Sequence, residues 1–116
     1  MNGRLYTSMH LSEKLRAAGA PDARQADAEF GVWRWESGEL VRSDGPGPRA
    51  WSVGEILEEM DRASVLDEGE LSLYPNTHRL LWEVDFSTET GDWLGRGDAI
   101  VDAFGAMWLD VLESKA

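Results

Sequence analysis

The chain has 116 residues, a hydrophobic content of 42% and a formal net charge of −11 at pH 7. This length predicts a single domain, residues 1–116, and the hydrophobic content is enough for a folded core, which argues against intrinsic disorder. Cysteine is absent, which excludes disulfides and thiolate zinc sites. The sequence contains neither a run of about 18 apolar residues nor a signal-peptide pattern, so we expect a cytoplasmic protein without membrane contacts.

The negative charge belongs to the second half of the chain. Residues 1–53 contain seven acids and seven bases, so residues 54–116 carry the whole net charge of −11. Phosphate contacts by that half are disfavoured, and we expect no direct binding of nucleic acid. The acids are interpreted either as an interaction face for a basic partner or as a solubilising surface.

A helix and a hairpin are predicted first. A Thr-Ser pair before apolar residues at spacings of three and four predicts a helix over residues 8–18. Aromatic and β-branched residues on both sides of a Ser-Gly pair predict a hairpin with strands 30–35 and 40–41. Period-two geometry puts Trp33 and Trp35 on one face of this hairpin. The Trp pair is either part of the core or, if exposed, a contact patch.

The next segments are a loop and a second helix. Residues 43–48, rich in Gly and Pro, are predicted to form an exposed loop. Ser52 followed by Glu55 is the pattern of a capping box, so the second helix should begin there and end near Arg62. Its apolar face predicts burial of Val53, Ile56, Leu57 and Met60, while Glu55, Glu58, Glu59 and Asp61 should point largely to water.

A second hairpin is predicted after the second helix. A short strand with Leu71 and Leu73 should turn at Pro75-Asn76 into a longer strand that ends near Phe86. Alternation predicts an inward face made of His78, Leu80, Trp82, Val84 and Phe86. The other face, which should be exposed beyond Leu81, carries Arg79, Leu81, Glu83 and Asp85. Residues 88–97 are predicted to be a polar, Gly-rich loop.

The chain ends with an amphipathic helix over residues 98–113. Its apolar stripe contains Ile100, Val101, Phe104, Met107, Trp108, Val111 and Leu112. Asp98, Asp102, Asp110 and Glu113 lie outside this stripe. The predicted fold class is therefore α+β, in the order α-β-β-α-β-β-α, with a four-stranded, mainly antiparallel sheet and helices packed on one face.

No pattern of residues predicts catalysis. The two histidines and the lack of nucleophile, Walker or zinc-protease motifs argue against an enzyme. His78 is read either as a packed or rim histidine or as a buried general base. The pairs Asp98–Asp102 and Glu83–Asp85 offer only two carboxylates each, which is a weak metal site. We therefore predict no catalytic residue, no cofactor and no metal site.

Four segments together resemble a loose group of small phage and prophage proteins, most of which are uncharacterised. They are residues 12–21 (SEKLRAAGAP), the aromatic Trp33-Arg34-Trp35, residues 52–57 (SVGEIL) and residues 98–109 (DAIVDAFGAMWL). The resemblance implies a viral or prophage origin, the cytoplasm of a bacterial host and no enzymatic activity. It implies no particular functional residue.

The sequence leaves two classes of function open. The first is an accessory protein that binds an unknown host or phage protein, with an acidic mimic of nucleic acid that inhibits a host defence or transcription protein as its alternative. The second is an accessory module that acts through its aromatic hairpin or, as a self-associating structural module, by forming a homo-oligomer, with the acids serving only solubility. The candidate partner-binding residues are Trp33, Trp35, Glu58, Glu59, Glu83 and Asp85.

Overall fold

The computed structural model describes residues 4–22 and 31–114. In this part of the chain three α-helices and five β-strands follow in the order α1–β1–β2–α2–β3–β4–β5–α3. The helices are α1 (Met9–Ala17), α2 (Val53–Arg62) and α3 (Ile100–Ser114). The strands are β1 (Val32–Glu36), β2 (Glu39–Ser43), β3 (Gly69–Asn76), β4 (Leu81–Thr88) and β5 (Gly91–Gly97).

The α+β class is confirmed, but the predicted single four-stranded sheet is wrong. Among the described residues the strands form two antiparallel sheets, a hairpin of β1 and β2 and a three-stranded sheet in the order β3-β4-β5. The extra strand is β5, which occupies most of the segment that was predicted to be a polar loop. It pairs with β4 from Thr88↔Gly91 to Trp82↔Gly97.

Two glycines of β5 explain how α3 can pack so closely on this strand. A Cβ atom on Gly95 would collide with the carbonyl oxygen of Ala103 and the backbone nitrogen of Met107, and one on Gly97 would meet Asp102. Glycine normally weakens a strand, but it is also the residue that allows close approach of another backbone. Here the glycines let α3 lie directly on β5.

The first two helices begin where the sequence predicts. The Ser8 hydroxyl caps α1 by accepting from Leu11 N at 3.3 Å. At α2 the Glu55 N–H donates to Ser52 Oγ at 3.2 Å, and the Ser52 N–H donates to Glu55 Oε1 at 3.0 Å. The capping box is therefore confirmed.

The core is centred on α3. Its buried apolar side chains meet Val84 and Phe86 of β4, and Trp108 lies edge-on against Trp51 with ring centroids 4.8 Å apart. Helices α1 and α2 pack against α3, which in turn covers β4 and β5. The buried residues of the predicted stripe are Val101, Phe104, Met107, Trp108 and Val111.

Asp102 of α3 is buried, although its position outside the apolar stripe predicted that it would point away from the core. Asp102 accepts from the Ser8 backbone N–H at 2.9 Å and forms an ion pair with Arg4. The chain before α1 therefore covers this carboxylate. Helix periodicity could not predict its burial, because the covering residues lie at the other end of the sequence.

The hairpin β1–β2 turns through Ser37 and Gly38, both with positive φ, as two-residue hairpin turns require. Phe30, the predicted start of β1, lies outside the described residues.

The loop over residues 43–48, predicted to be exposed, is partly buried because both backbone groups of Gly47 are hydrogen-bonded to side chains of β1. Its N–H donates to Glu36 Oε1 at 2.9 Å, and its carbonyl oxygen accepts from Arg34 Nη1 at 3.1 Å.

The second hairpin is confirmed, but its turn lies later than predicted. Strand β3 runs through Pro75 and Asn76, and the turn occupies residues 77–80. His78 and Leu80, which were expected on the inward face, are therefore exposed. The inward positions of Trp82, Val84 and Phe86 on β4 are correct.

Candidate protein-binding surface

The three-stranded sheet has one face that none of the described helices covers. Cross-strand partners in an antiparallel sheet point to the same side, so the register separates this side from the one on which α3 packs. We call it the outer face. Its residues are Glu70, Ser72, Tyr74 and Asn76 on β3, Leu81, Glu83, Asp85 and Ser87 on β4, and Asp92, Leu94 and Arg96 on β5.

Large side chains with apolar surface are exposed on the outer face. Tyr74 and Leu94 are each 40% exposed, and Leu81, diagonal to Tyr74 on β4, is half-buried. Tyr and Arg are enriched at the centres of protein interfaces, where they supply contact area and hydrogen bonds. Tyr74 and Arg96 are the cross-strand neighbours of Glu83 on its two sides, so one row across the sheet carries both residue types.

The middle of the outer face is an ordered ion pair. Glu83 Oε1 accepts from Asn76 Nδ2 and from Arg96 Nε, both at 3.0 Å. The Asn76 hydrogen bond, helped by Arg96, lowers the pKa of the Glu83 carboxyl although desolvation opposes this shift. Desolvation and the nearby Glu83 carboxylate raise the pKa of the Tyr74 hydroxyl. The Glu83 carboxylate is therefore already paired within the sheet.

Arg96 and Asp85 of the outer face both have polar atoms that can still bind a partner. Arg96 uses only its Nε with Glu83, so its two terminal nitrogens have no hydrogen-bond partner among the described residues, and its side chain is 49% exposed. Asp85 makes no hydrogen bond or ion pair with them. Arg96 is thus suited to a carbonyl or carboxylate oxygen of a partner, and Asp85 to a basic group.

The two predicted site acids of β4 lie on this face, but only one is accessible. The expectation that Glu83 faces solvent is wrong, because Asn76 and Arg96 enclose it and its side chain is 9% exposed. Asp85 is half-buried. Alternation placed both acids on the correct face and could not show how their neighbours cover them.

The two predicted site acids of α2 lie elsewhere. Glu58 and Glu59 both form ion pairs with Arg62, at 2.8 Å and 3.4 Å. Glu58 is exposed, but the Glu59 side chain is only 9% exposed, which contradicts its expected position in water. Helix α2 packs on α3, on the opposite side of the sheet from the outer face. The four acids therefore do not form one surface.

The two predicted site tryptophans are half-buried and lie outside the main core. Trp35 donates from Nε1 to the Thr7 carbonyl oxygen at 3.0 Å. Trp33 packs at 5.8 Å from the Tyr6 ring, and the Arg42 guanidinium lies 5.7 Å from its ring centre. Both rings are thus engaged by the protein itself. They belong neither to the core nor to a freely exposed patch.

Sequence reasoning missed Tyr74, Leu94 and Arg96 as site residues. The last two were assigned to a loop. A signal was present, since Asp92, Leu94 and Arg96 alternate with Trp93 and two glycines, which is the period of a strand. The ion pair of the buried Arg34 with the exposed Asp22 was also missed. Arg34 binds both carboxylate oxygens of Asp22, at 2.7 and 2.6 Å, and lowers the pKa of that carboxyl.

The two candidate metal pairs and the candidate general base of the sequence lie apart from one another in the structure. No group of three or more His, Cys, Asp or Glu side chains in residues 4–22 and 31–114 is arranged to hold a metal ion. Asp98 and Asp102, one of the two carboxylate pairs, are bridged by Arg4. His78 lies exposed in the turn between β3 and β4, so the interpretation of it as a buried general base is wrong.

Comparisons with protein-family models, curated proteins and solved structures found no match for this chain. A helix that spans a membrane needs about 20 apolar residues, and none of the described helices has that length and character.

Proposed function

We propose that this protein is a non-enzymatic accessory protein that binds a partner protein through the outer face of its three-stranded sheet. The observation that carries the proposal is the helix-free outer face. It exposes Tyr74, the cross-strand partner of Glu83, and Leu94, the same-face neighbour of Arg96 on β5. The sequence resemblance to phage and prophage proteins points to a host or phage protein as the partner.

The charge of the outer face favours a basic partner. It carries Glu70, Glu83, Asp85 and Asp92 against the single base Arg96. Acids beside exposed apolar side chains steer an oppositely charged partner and set its orientation. Near the middle of the face, the Arg96 guanidinium adds a hydrogen-bond donor for an acceptor on the partner. A partner surface with Lys or Arg around an apolar side chain has the matching chemistry.

The nucleic acid mimic has less support. A mimic needs acids spread over one surface, whereas the predicted acids are divided between α2 and the outer face. Glu59 and Glu83 are also enclosed in ion pairs with Arg62 and Arg96. The acids that remain are better suited to surround a protein contact.

A second candidate is self-association along β3. This strand is at one edge of the sheet in the described part of the chain, and Leu73 on it is 43% exposed. Edge strands with exposed apolar residues tend to pair with another chain, although Pro75 removes one donor from this edge. The net charge of −11 opposes contact between two copies.

The binding proposal is tested by capture from bacterial lysate with immobilised protein. We expect a specific captured protein with the wild type and with Glu58→Gln, a matched charge change on α2. Capture should be lost with the outer-face variant Leu94→Glu and should weaken with Tyr74→Ala, because both remove apolar contact area. Equal capture by all four proteins would contradict the proposal.

Sedimentation tests the second candidate. A wild-type dimer that becomes a monomer in Leu73→Lys would support pairing through β3, because a lysine on an edge strand blocks such contacts. A wild type that stays monomeric at every concentration would rule it out.

A further inference from the structure

A cavity of about 470 Å³ lies where the chain before α1 meets the first turns of α2 and α3. The apolar side chains at this cavity are Leu5, Tyr6, Val53, Ile100 and Val101. Its volume is in the range of roughly 300–1,000 Å³ that is typical of sites for small molecules, which are lined mainly by apolar groups. Leu5 is 76% exposed, so apolar surface remains open to water there.

The charge at the cavity is compensated by the protein itself. Arg4 lines it, and its guanidinium forms ion pairs with Asp98, at 3.2 Å, and with Asp102. An anionic ligand would have to compete with these two carboxylates for Arg4. A cationic ligand would find no acid among the described residues that line the cavity, and the nearest charge would be that of Arg4. This balance favours a ligand without a charge.

We propose that this cavity is a binding site for a small, neutral and mainly apolar molecule. Burial of apolar ligand surface against the five apolar side chains supplies the affinity. The site is independent of the outer face, because α2 and α3 lie on the other side of the sheet. It therefore does not depend on the proposed protein binding.

The test uses N-phenyl-1-naphthylamine, a neutral probe whose fluorescence rises in apolar surroundings. Titration of the full chain should give saturable binding. Amide NMR shifts should locate the probe at Leu5, Val53, Gly54 and Val101, and the outer-face residue Leu94 should not shift. This mapping also separates the cavity from the apolar surface of the sheet.

Two variants should weaken binding while the protein stays folded. Gly54 lines the cavity, and a Cβ atom there would meet no atom within 4 Å, so Gly54→Phe adds a ring without a clash in the backbone. Ile100→Glu puts a charge into the cavity, and an acid suits the first turn of a helix. Each change should raise the dissociation constant about tenfold or more.

Gly91→Phe is the matched control, because a Cβ atom at Gly91 also meets nothing within 4 Å and Gly91 is remote from the cavity in β5. It should bind the probe as the wild type does. Absence of saturable binding to the wild type, shifts that map elsewhere, or unchanged affinity in both cavity variants would overturn the proposal. If a variant fails to fold, the amide NMR shifts of the wild type alone show whether the probe binds in the cavity.

Discussion

Glu83 is a carboxylate whose environment is made by residues from three strands. Asn76 of β3 and Arg96 of β5 donate to it across the sheet. A nearly enclosed carboxylate is stable only with such partners, because desolvation of an unpaired charge is costly. Asp102 follows the same rule on the other side of the molecule, where Arg4 and the Ser8 N–H satisfy it.

The ionised Glu83 should stabilise the fold in a pH-dependent way. Its pKa is lowered in the folded protein, first by Asn76 and then by Arg96. Its contribution is therefore present above the unfolded pKa of about 4 and is lost as the pH falls through the lower folded value. Thermal unfolding of the wild type and Glu83→Gln should differ most near neutral pH, and the two curves should converge in acid.

Glu58→Gln is the control for this comparison, because Glu58 is exposed on α2. Its melting temperature should follow that of the wild type at each pH. A difference between wild type and Glu83→Gln that stays constant from neutral pH into acid would show that the carboxylate charge does not cause the effect.

Trp108 should contribute more to stability than any exposed residue of the same helix. It is buried on α3 and packs edge-on against Trp51. We expect Trp108→Ala to lower the free energy of unfolding by about 3 to 5 kcal/mol, as removal of large core side chains does. Denaturant titration measures this loss. The exposed Asp110→Ala should change little, and equal stability of Trp108→Ala and wild type would mean that this face of α3 is not in the core.

Helix α2 is determined by residues next to one another in the sequence, whereas β5 depends on contacts with other elements. The start of α2 follows from local residues, since Ser52 and Glu55 form the capping box and both appear in the sequence. Strand β5 depends on a contact with another element, because its glycines allow α3 to approach. The glycines of this segment predict a loop, whereas its pairing with β4 forms a strand and the glycines leave room for α3.

Gly95 should tolerate no larger residue for this reason. Its added Cβ atom would collide with backbone atoms of Ala103 and Met107, which cannot move without shifting α3. We expect Gly95→Ala to cost at least about 1 to 3 kcal/mol, the range for overpacking. Denaturant unfolding is the measurement. Gly91→Ala, which meets nothing within 4 Å, is the matched control, and equal stability of the two variants would contradict this account of β5.

Local patterns therefore predicted the helices and both hairpins, while contacts distant in sequence escaped them. Ser8 and Ser52 mark helix starts by chemistry that spans three residues. The burial of Asp102 depends on Arg4, and that of Glu83 on Arg96. Alternation could assign Glu83 and Asp85 to one face. It could not predict which side chains of β5 would stand next to them.

The fold separates the exposed acids of α2 from the acids of the outer face. Helices α1 and α2 pack on α3 on one side of the three-stranded sheet, and the outer face lies on the other side. Glu58 and Asp61 are exposed on α2, whereas Asp85 and Asp92 belong to the outer face. A partner on the outer face would cover only the second pair. Uniform solubilisation would leave both pairs equally open.

Carboxyl labelling of the complex is the most direct test that a partner protein binds to the outer face. The protein, alone and bound to the protein it captures, is treated with a reagent that modifies accessible Asp and Glu side chains, and the modified sites are measured by mass spectrometry. We expect binding to reduce the labelling of Asp85 and Asp92 and to leave Glu58 and Asp61 unchanged. Reduced labelling of Glu58 and Asp61, with Asp85 and Asp92 as open as in the free protein, would contradict the outer face as the binding surface.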